Sequence, residues 1–122
     1  SFSSFKNQVF QTIRCISALI FLLLRHNTLM IICNCLLHLD LPHVQSLKGR
    51  RSVTNSIKEK LKTFNLSLLD VSGEYTREAD IAFVFLSPNA LSAAQYREKI
   101  EKMLERNFSE YSFELEHEET DY

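Results

Sequence analysis

Residues 79–86 read Ala79-Asp80-Ile81-Ala82-Phe83-Val84-Phe85-Leu86. Ile81, Phe83 and Phe85 fall on one parity and Ala82, Val84 and Leu86 on the other. A strand over this stretch carries apolar side chains on both faces, as a central strand does. Ser87-Pro88-Asn89 stops the run and supplies a helix cap. In the helix that follows, Leu91, Ala94, Ile100, Met103 and Leu104 form the apolar stripe, which ends near Asn107. Beyond it Tyr111, Phe113 and Leu115 alternate with Ser112, Glu114 and Glu116, the pattern of a strand with one solvated face.

Upstream, Leu66 to Val71 alternates about Ser67 and Asp70 until Ser72-Gly73 ends it, and the short polar run 74–78 leads into the central strand. Before that, Ser46 can cap a helix whose apolar positions are Leu47, Val53, Ile57, Leu61 and Phe64. Met30 to Leu39 is aliphatic and β-branched and stops at Asp40-Leu41-Pro42, where a proline cannot continue a central ladder. The order is β-α-β-β-α-β. Two crossovers with a hairpin between them predict an α+β, ferredoxin-like split βαβ arrangement. It has a four-stranded antiparallel sheet with two helices on one face, and the other face is expected to stay uncovered.

The 122 residues suffice for one small core. Two Gly and two Pro with 45% hydrophobic residues exclude collagen-like and disordered chains, and three Cys exclude a disulfide scaffold. A net charge of −1 makes no global case for nucleic acid, but the average hides segregation. Between Pro42 and Lys62, six basic residues against Glu59 alone leave +5; from Glu98 to Tyr122, three basic residues against nine acidic ones leave −6.

Residues 1–29 are expected to be an apolar extension outside the domain, an upstream addition before Met30, with packing against the domain as the alternative. The domain is expected to be 30–122 with an acidic C-terminal end. Ile16 to Leu24, halted by Arg25, His26 and Asn27, is nine residues against the roughly 20 that a spanning helix needs. No Ala-x-Ala-like site follows it, as a signal peptide would require, and Leu19 to Leu24 is apolar all round, which an interfacial helix is not. The odd cysteine count fits a reducing, cytoplasmic setting.

Three segments carry a resemblance: Leu39-Asp40-Leu41-Pro42, Ser46-Leu47-Lys48-Gly49-Arg50-Arg51-Ser52-Val53, and Lys60 to Leu68 with its Phe64-Asn65 turn. With Ala79 to Ala82 they resemble the YlxP-like family of small bacterial proteins of unknown function, over about Met30 to Glu116. The resemblance implies a ferredoxin-like fold and a role around RNA or ribosome assembly, and it carries no catalytic set. Here Asp70-Val71-Ser72-Gly73 stands where that family has Glu-Val-Gly, and Glu74-Tyr75-Thr76-Arg77 lacks its Trp.

Lys48, Arg50 and Arg51 lie at a helix start, where free N–H groups already favour anions. With Lys58 and Lys62 they are the candidate phosphate or RNA contacts. A solvated basic face is the plainer alternative. Cys33-x-Cys35 shares one strand face while His38 points to the other, so the three do not make a metal site, and core cysteines are expected. His43 has no evident catalytic partner, and Glu114, Glu116, Glu118 and Glu119 read as a solvating tail. No catalytic residue, metal, cofactor, small-molecule substrate or membrane association is therefore expected. The expected function is a non-enzymatic protein that binds RNA or a ribosomal particle; the alternative is a homodimeric protein-interaction module without nucleic acid.

Overall fold

The computed structural model describes residues 2–24 and 30–122. A helix, α1, spans Phe2–Leu24; then come β1 (Ile31–Asp40), α2 (Leu47–Leu61), β2 (Ser67–Asp70), β3 (Glu78–Ser87), α3 (Ala90–Asn107) and β4 (Ser112–Asp121). The four strands form one antiparallel sheet in the order β2-β3-β1-β4. This is the ferredoxin-like split βαβ arrangement that the sequence predicts. The expected stop at Arg25, His26 and Asn27 lies outside the described residues.

The sheet parity follows from the sequence. Ile31, Cys33, Cys35, Leu37 and Leu39 of β1 are buried, and so are Ala79, Ile81, Phe83 and Phe85 of β3. Cys33 pairs with Phe85, Cys35 with Phe83 and Leu37 with Ile81, so the two central strands put their apolar parity on one face. Against that face pack Ile57 and Leu61 of α2 and Ala93, Ile100 and Leu104 of α3. Burying such side chains stabilises the fold by about 1.5–3 kcal/mol each for the larger ones. Tyr96 ties α3 to the turn that follows α2. Its ring meets Phe64 edge-on at 5.6 Å, and its hydroxyl oxygen accepts the Asn65 backbone N–H at 2.6 Å.

Both helices start as the sequence predicts. The Ser46 side chain accepts from the Gly49 N–H and the Asn89 side chain from the Ser92 N–H, each satisfying an otherwise orphaned donor. The stripes differ in detail. Leu47 and Leu91 are 52% and 69% exposed, whereas Thr54 and Ala93 are buried. Leu47 and Leu91 occupy the first turns, before either helix reaches over the sheet. Thr54 is accommodated because its hydroxyl donates to the Arg51 carbonyl at 3.2 Å.

Two expectations are corrected. The acidic C-terminus is no solvating tail: β4 continues through Asp121, and Met30 and Tyr122 exchange both backbone hydrogen bonds at its end. Glu114, Glu116 and Glu118 therefore stand in a row on the sheet face opposite α2 and α3, and Glu119 on the helix face. That opposite face is also not bare. Lys6 and Phe10 of α1 overlie Asn34, Leu36, Leu69, Ala82 and Val84 and line with them an open groove of about 600 Å³, and Arg14 pairs with Glu118 at 3.0 Å. Among the described residues no helix is long and apolar enough to cross a membrane.

Candidate nucleic-acid interface

With 3.6 residues per turn, positions 48, 51, 58 and 62 follow one another along one flank of α2, since 51 and 58 are nearly two full turns apart. Lys48, Arg51 and Lys62 are exposed and Lys58 is half-buried. Asn55, also exposed, lies between them on the same flank. Lys60 points to the other side of the helix. The first turn of α2 holds no acidic residue, so nothing on the helix offsets its N-terminal positive pole.

Arg50 does not join this flank. Its Nη1 donates to the carbonyls of Gly73 at 2.7 Å, Tyr75 at 2.9 Å and Glu78 at 3.4 Å. One guanidinium thereby fastens the loop between β2 and β3. Asp70 closes the other end of that loop by accepting from the Ser72 N–H and hydroxyl. Burial alone would raise the Asp70 pKa. The two Ser72 donors, with Lys58 and Arg50 nearby, outweigh it and hold the carboxyl below its ordinary value. The structure thus brings four of the five candidate cations to one flank and turns the fifth into a loop clamp.

Two further polar groups flank the sheet. On the helix face, Cys33 and Cys35 are buried with their sulfurs 3.7 Å apart, and Arg97 bridges Cys33 at 3.8 Å and Glu119 at 2.8 Å. A hydrogen bond from the Cys35 thiol, with Arg97 alongside, lowers the Cys33 pKa against burial, and the same bond raises that of Cys35. Neither sulfur is open to a reagent, since Cys33 is 0% and Cys35 4% exposed. Their work is in the core, as the strand parity implies.

On the opposite face His38 Nδ1 lies 2.7 Å from Asp80 Oδ1, and Nε2 lies 3.6 Å from Asp40 Oδ1. The hydrogen bond to Asp80 raises the His38 pKa, and the Asp80, Asp40 and Glu78 charges add to it against desolvation. Sequence reading placed His38 away from the cysteines but missed its carboxylates. Asp80 is 42 positions away, and only the β1–β3 register brings it alongside. His43 is exposed in the connection before α2.

No curated protein matches the chain. Among solved structures, the de novo designed protein Foldit4 is similar to it with a TM-score of 0.44 at 11% identity, over 73% of this chain and 96% of that one. The family model described as "Protein of unknown function (DUF503)" matches residues 32–117, from β1 into β4. That span takes in both crossovers and the basic flank of α2, and the chain belongs to this family.

Proposed function

We propose that the chain is a YlxP-like member of its family, a non-enzymatic cytoplasmic protein that binds RNA or a ribosomal particle through one flank of α2. The observation that carries this reading is the alignment of Lys48, Arg51, Lys58 and Lys62 on that flank, next to a helix N-terminus with no acidic side chain in its first turn. Such a row supplies phosphate contacts, which give affinity and register without base choice. Arg50 supports the site indirectly, by holding the β2–β3 loop against the start of the helix. The domain in this reading is 30–122, with 1–29 as an extension, and the free cysteines suit a reducing compartment.

Four phosphate contacts predict that log K falls with log salt at a slope of about −3, each contact contributing roughly −0.7 to −0.9. Binding of the full chain to a ribosomal RNA fragment across a salt series measures it. Replacing Lys48, Arg51, Lys58 and Lys62 together by Ala should abolish both the affinity and the slope. Absence of binding at low salt, or a slope unchanged in the fourfold variant, refutes the reading.

A second reading, a homodimer without nucleic acid, draws on a different observation. Leu69 and Leu86 are exposed on the sheet face that carries the Glu114, Glu116 and Glu118 row, and that row complements the basic flank of another copy. Sedimentation at low and high salt decides it: a monomer at every concentration removes this reading.

A further inference from the structure

Two cross-strand pairs lie side by side where β1 and β3 approach the β2–β3 loop: His38 with Asp80, and Asp40 with Glu78. All four residues belong to the sheet face turned away from α2 and α3. His38, Asp40 and Glu78 each present a ligand atom within 4.8 Å of the other two. The Nδ1 of His38 is held by Asp80 at 2.7 Å, which fixes the ring orientation and leaves Nε2 directed toward Asp40. The Nε2–Oδ1 separation of 3.6 Å is too long for a hydrogen bond. Two donors bound at about 2.1 Å to one tetrahedral ion stand roughly 3.4 Å apart, so the observed gap is close to that of two ligands sharing a centre. A histidine whose second nitrogen is held by a carboxylate is the usual form of a metal-ligating imidazole.

Charge and rigidity point the same way. Glu114 of β4 is the cross-strand neighbour of His38 on its other side, so four carboxylates gather around one imidazole. Among the described residues, the ion pairs that Asp40 and Asp80 make are both with His38. The ligands sit on the two central strands. Beyond them the backbone is fastened by Leu41 N–H to the Arg77 carbonyl at 2.7 Å and by Arg50 on the Glu78 carbonyl. Donors mounted on rigid strands need only side-chain adjustment to close on an ion.

We propose that His38 Nε2, Asp40 and Glu78 bind a divalent first-row transition ion of the Zn²⁺ class, with Asp80 positioning the imidazole. The single nitrogen donor favours such an ion over Mg²⁺ or Ca²⁺, which prefer oxygen alone. Three protein ligands leave the fourth position to water or to Glu114, the arrangement of an open rather than a closed structural site. The site is separate from the basic flank of α2, and it stands or falls independently of RNA binding.

The test titrates Zn²⁺ and Co²⁺ into the full chain carrying Cys15→Ser, which removes the exposed thiol, and follows heat and the visible Co²⁺ spectrum, with Mg²⁺ as the competitor. A single site with nitrogen and oxygen ligation, undisturbed by Mg²⁺, is expected. Asp80→Asn should weaken it by about 10- to 100-fold, and His38→Gln, Asp40→Asn and Glu78→Gln by more, each variant keeping the far-ultraviolet dichroism of the parent. Unchanged affinity in His38→Gln, a thiolate-to-cobalt charge-transfer band, or equal competition by Mg²⁺ overturns the assignment.

Discussion

Arg50 and Arg51 are adjacent in sequence and opposite in use. Arg50 gives its guanidinium to three loop carbonyls, and Arg51 leaves its own exposed. Hydrogen bonds from a charged donor contribute about 1.5–3 kcal/mol each, and three that share one nitrogen on a half-buried side chain contribute less than their sum. Arg50→Ala is expected to lower the urea-unfolding free energy by about 1–3 kcal/mol while leaving the salt slope of RNA binding in place. Lysine at 50 recovers only part of that loss, because an ammonium cannot reproduce the planar fork. Arg51→Ala should do the reverse: stability within about 0.5 kcal/mol and one phosphate contact fewer. If Arg50→Ala weakened binding as much as Arg51→Ala did while stability held, the division between the two would be wrong. Asp70 adds a pH dependence. Its folded pKa lies below the unfolded value, so its contribution is fully present above the unfolded value of about 3.9 and fades as pH falls through the folded one. The stability gap between the parent and Asp70→Asn should be constant from pH 7 to about 5 and close below about 4; a gap that widens toward acid contradicts the assignment.

Among the elements, β1 and β3 were the most legible, since a run rich in aliphatic and β-branched residues and ended by a proline is a local signal and both strands carry it. The helix starts were legible for the same reason: Ser46 and Asn89 cap what they were expected to cap. Each cap should cost about 1 kcal/mol when changed to Ala, read by thermal unfolding. Which leucines a helix buries was less legible, because that depends on where the helix first meets the sheet. Ile57→Ala should cost about 2–5 kcal/mol, whereas Leu47→Ala should stay within about 0.5 kcal/mol, although the two residues look alike in the sequence. The extent of β4 was hidden by its composition. Glu118 and Glu119 resemble a solvated tail, yet an edge strand tolerates both, with Glu118 on the face away from α2 and α3 and Arg97 reaching Glu119. The candidate cations could be listed from sequence, but sorting Arg50 from the flank required the position of a loop 23 to 28 residues away. The His38 cluster was out of reach altogether, since it exists only through cross-strand register.

At the scale of the whole molecule, the question is how much α1 contributes to the fold it lies across. Of the residues Ser4 to Ile16, only Lys6, Phe10 and Ile13 are half-buried, spaced four and three apart as one narrow stripe. Beneath that stripe lies a solvent-open groove of about 600 Å³ rather than a closely packed interface. The Arg14–Glu118 pair has both side chains about half exposed, at 49% and 50%, which limits it to about 0–1 kcal/mol. Against this, among the described residues the core between the sheet and α2 and α3 buries sixteen apolar side chains, from Ile31 to Phe108. Removal of residues 1–29 is therefore expected to leave a cooperatively folding domain. Leu36, Ala82 and Val84 would then be opened to solvent. The same truncation should raise binding of a hydrophobic dye, because it uncovers that apolar strip between the acidic residues of β4 and β3. Urea unfolding of the full and shortened chains, with dye fluorescence on both, measures the two effects together. A shortened chain that fails to fold would show that the helix completes the core, and the sheet would then have two buried faces instead of one.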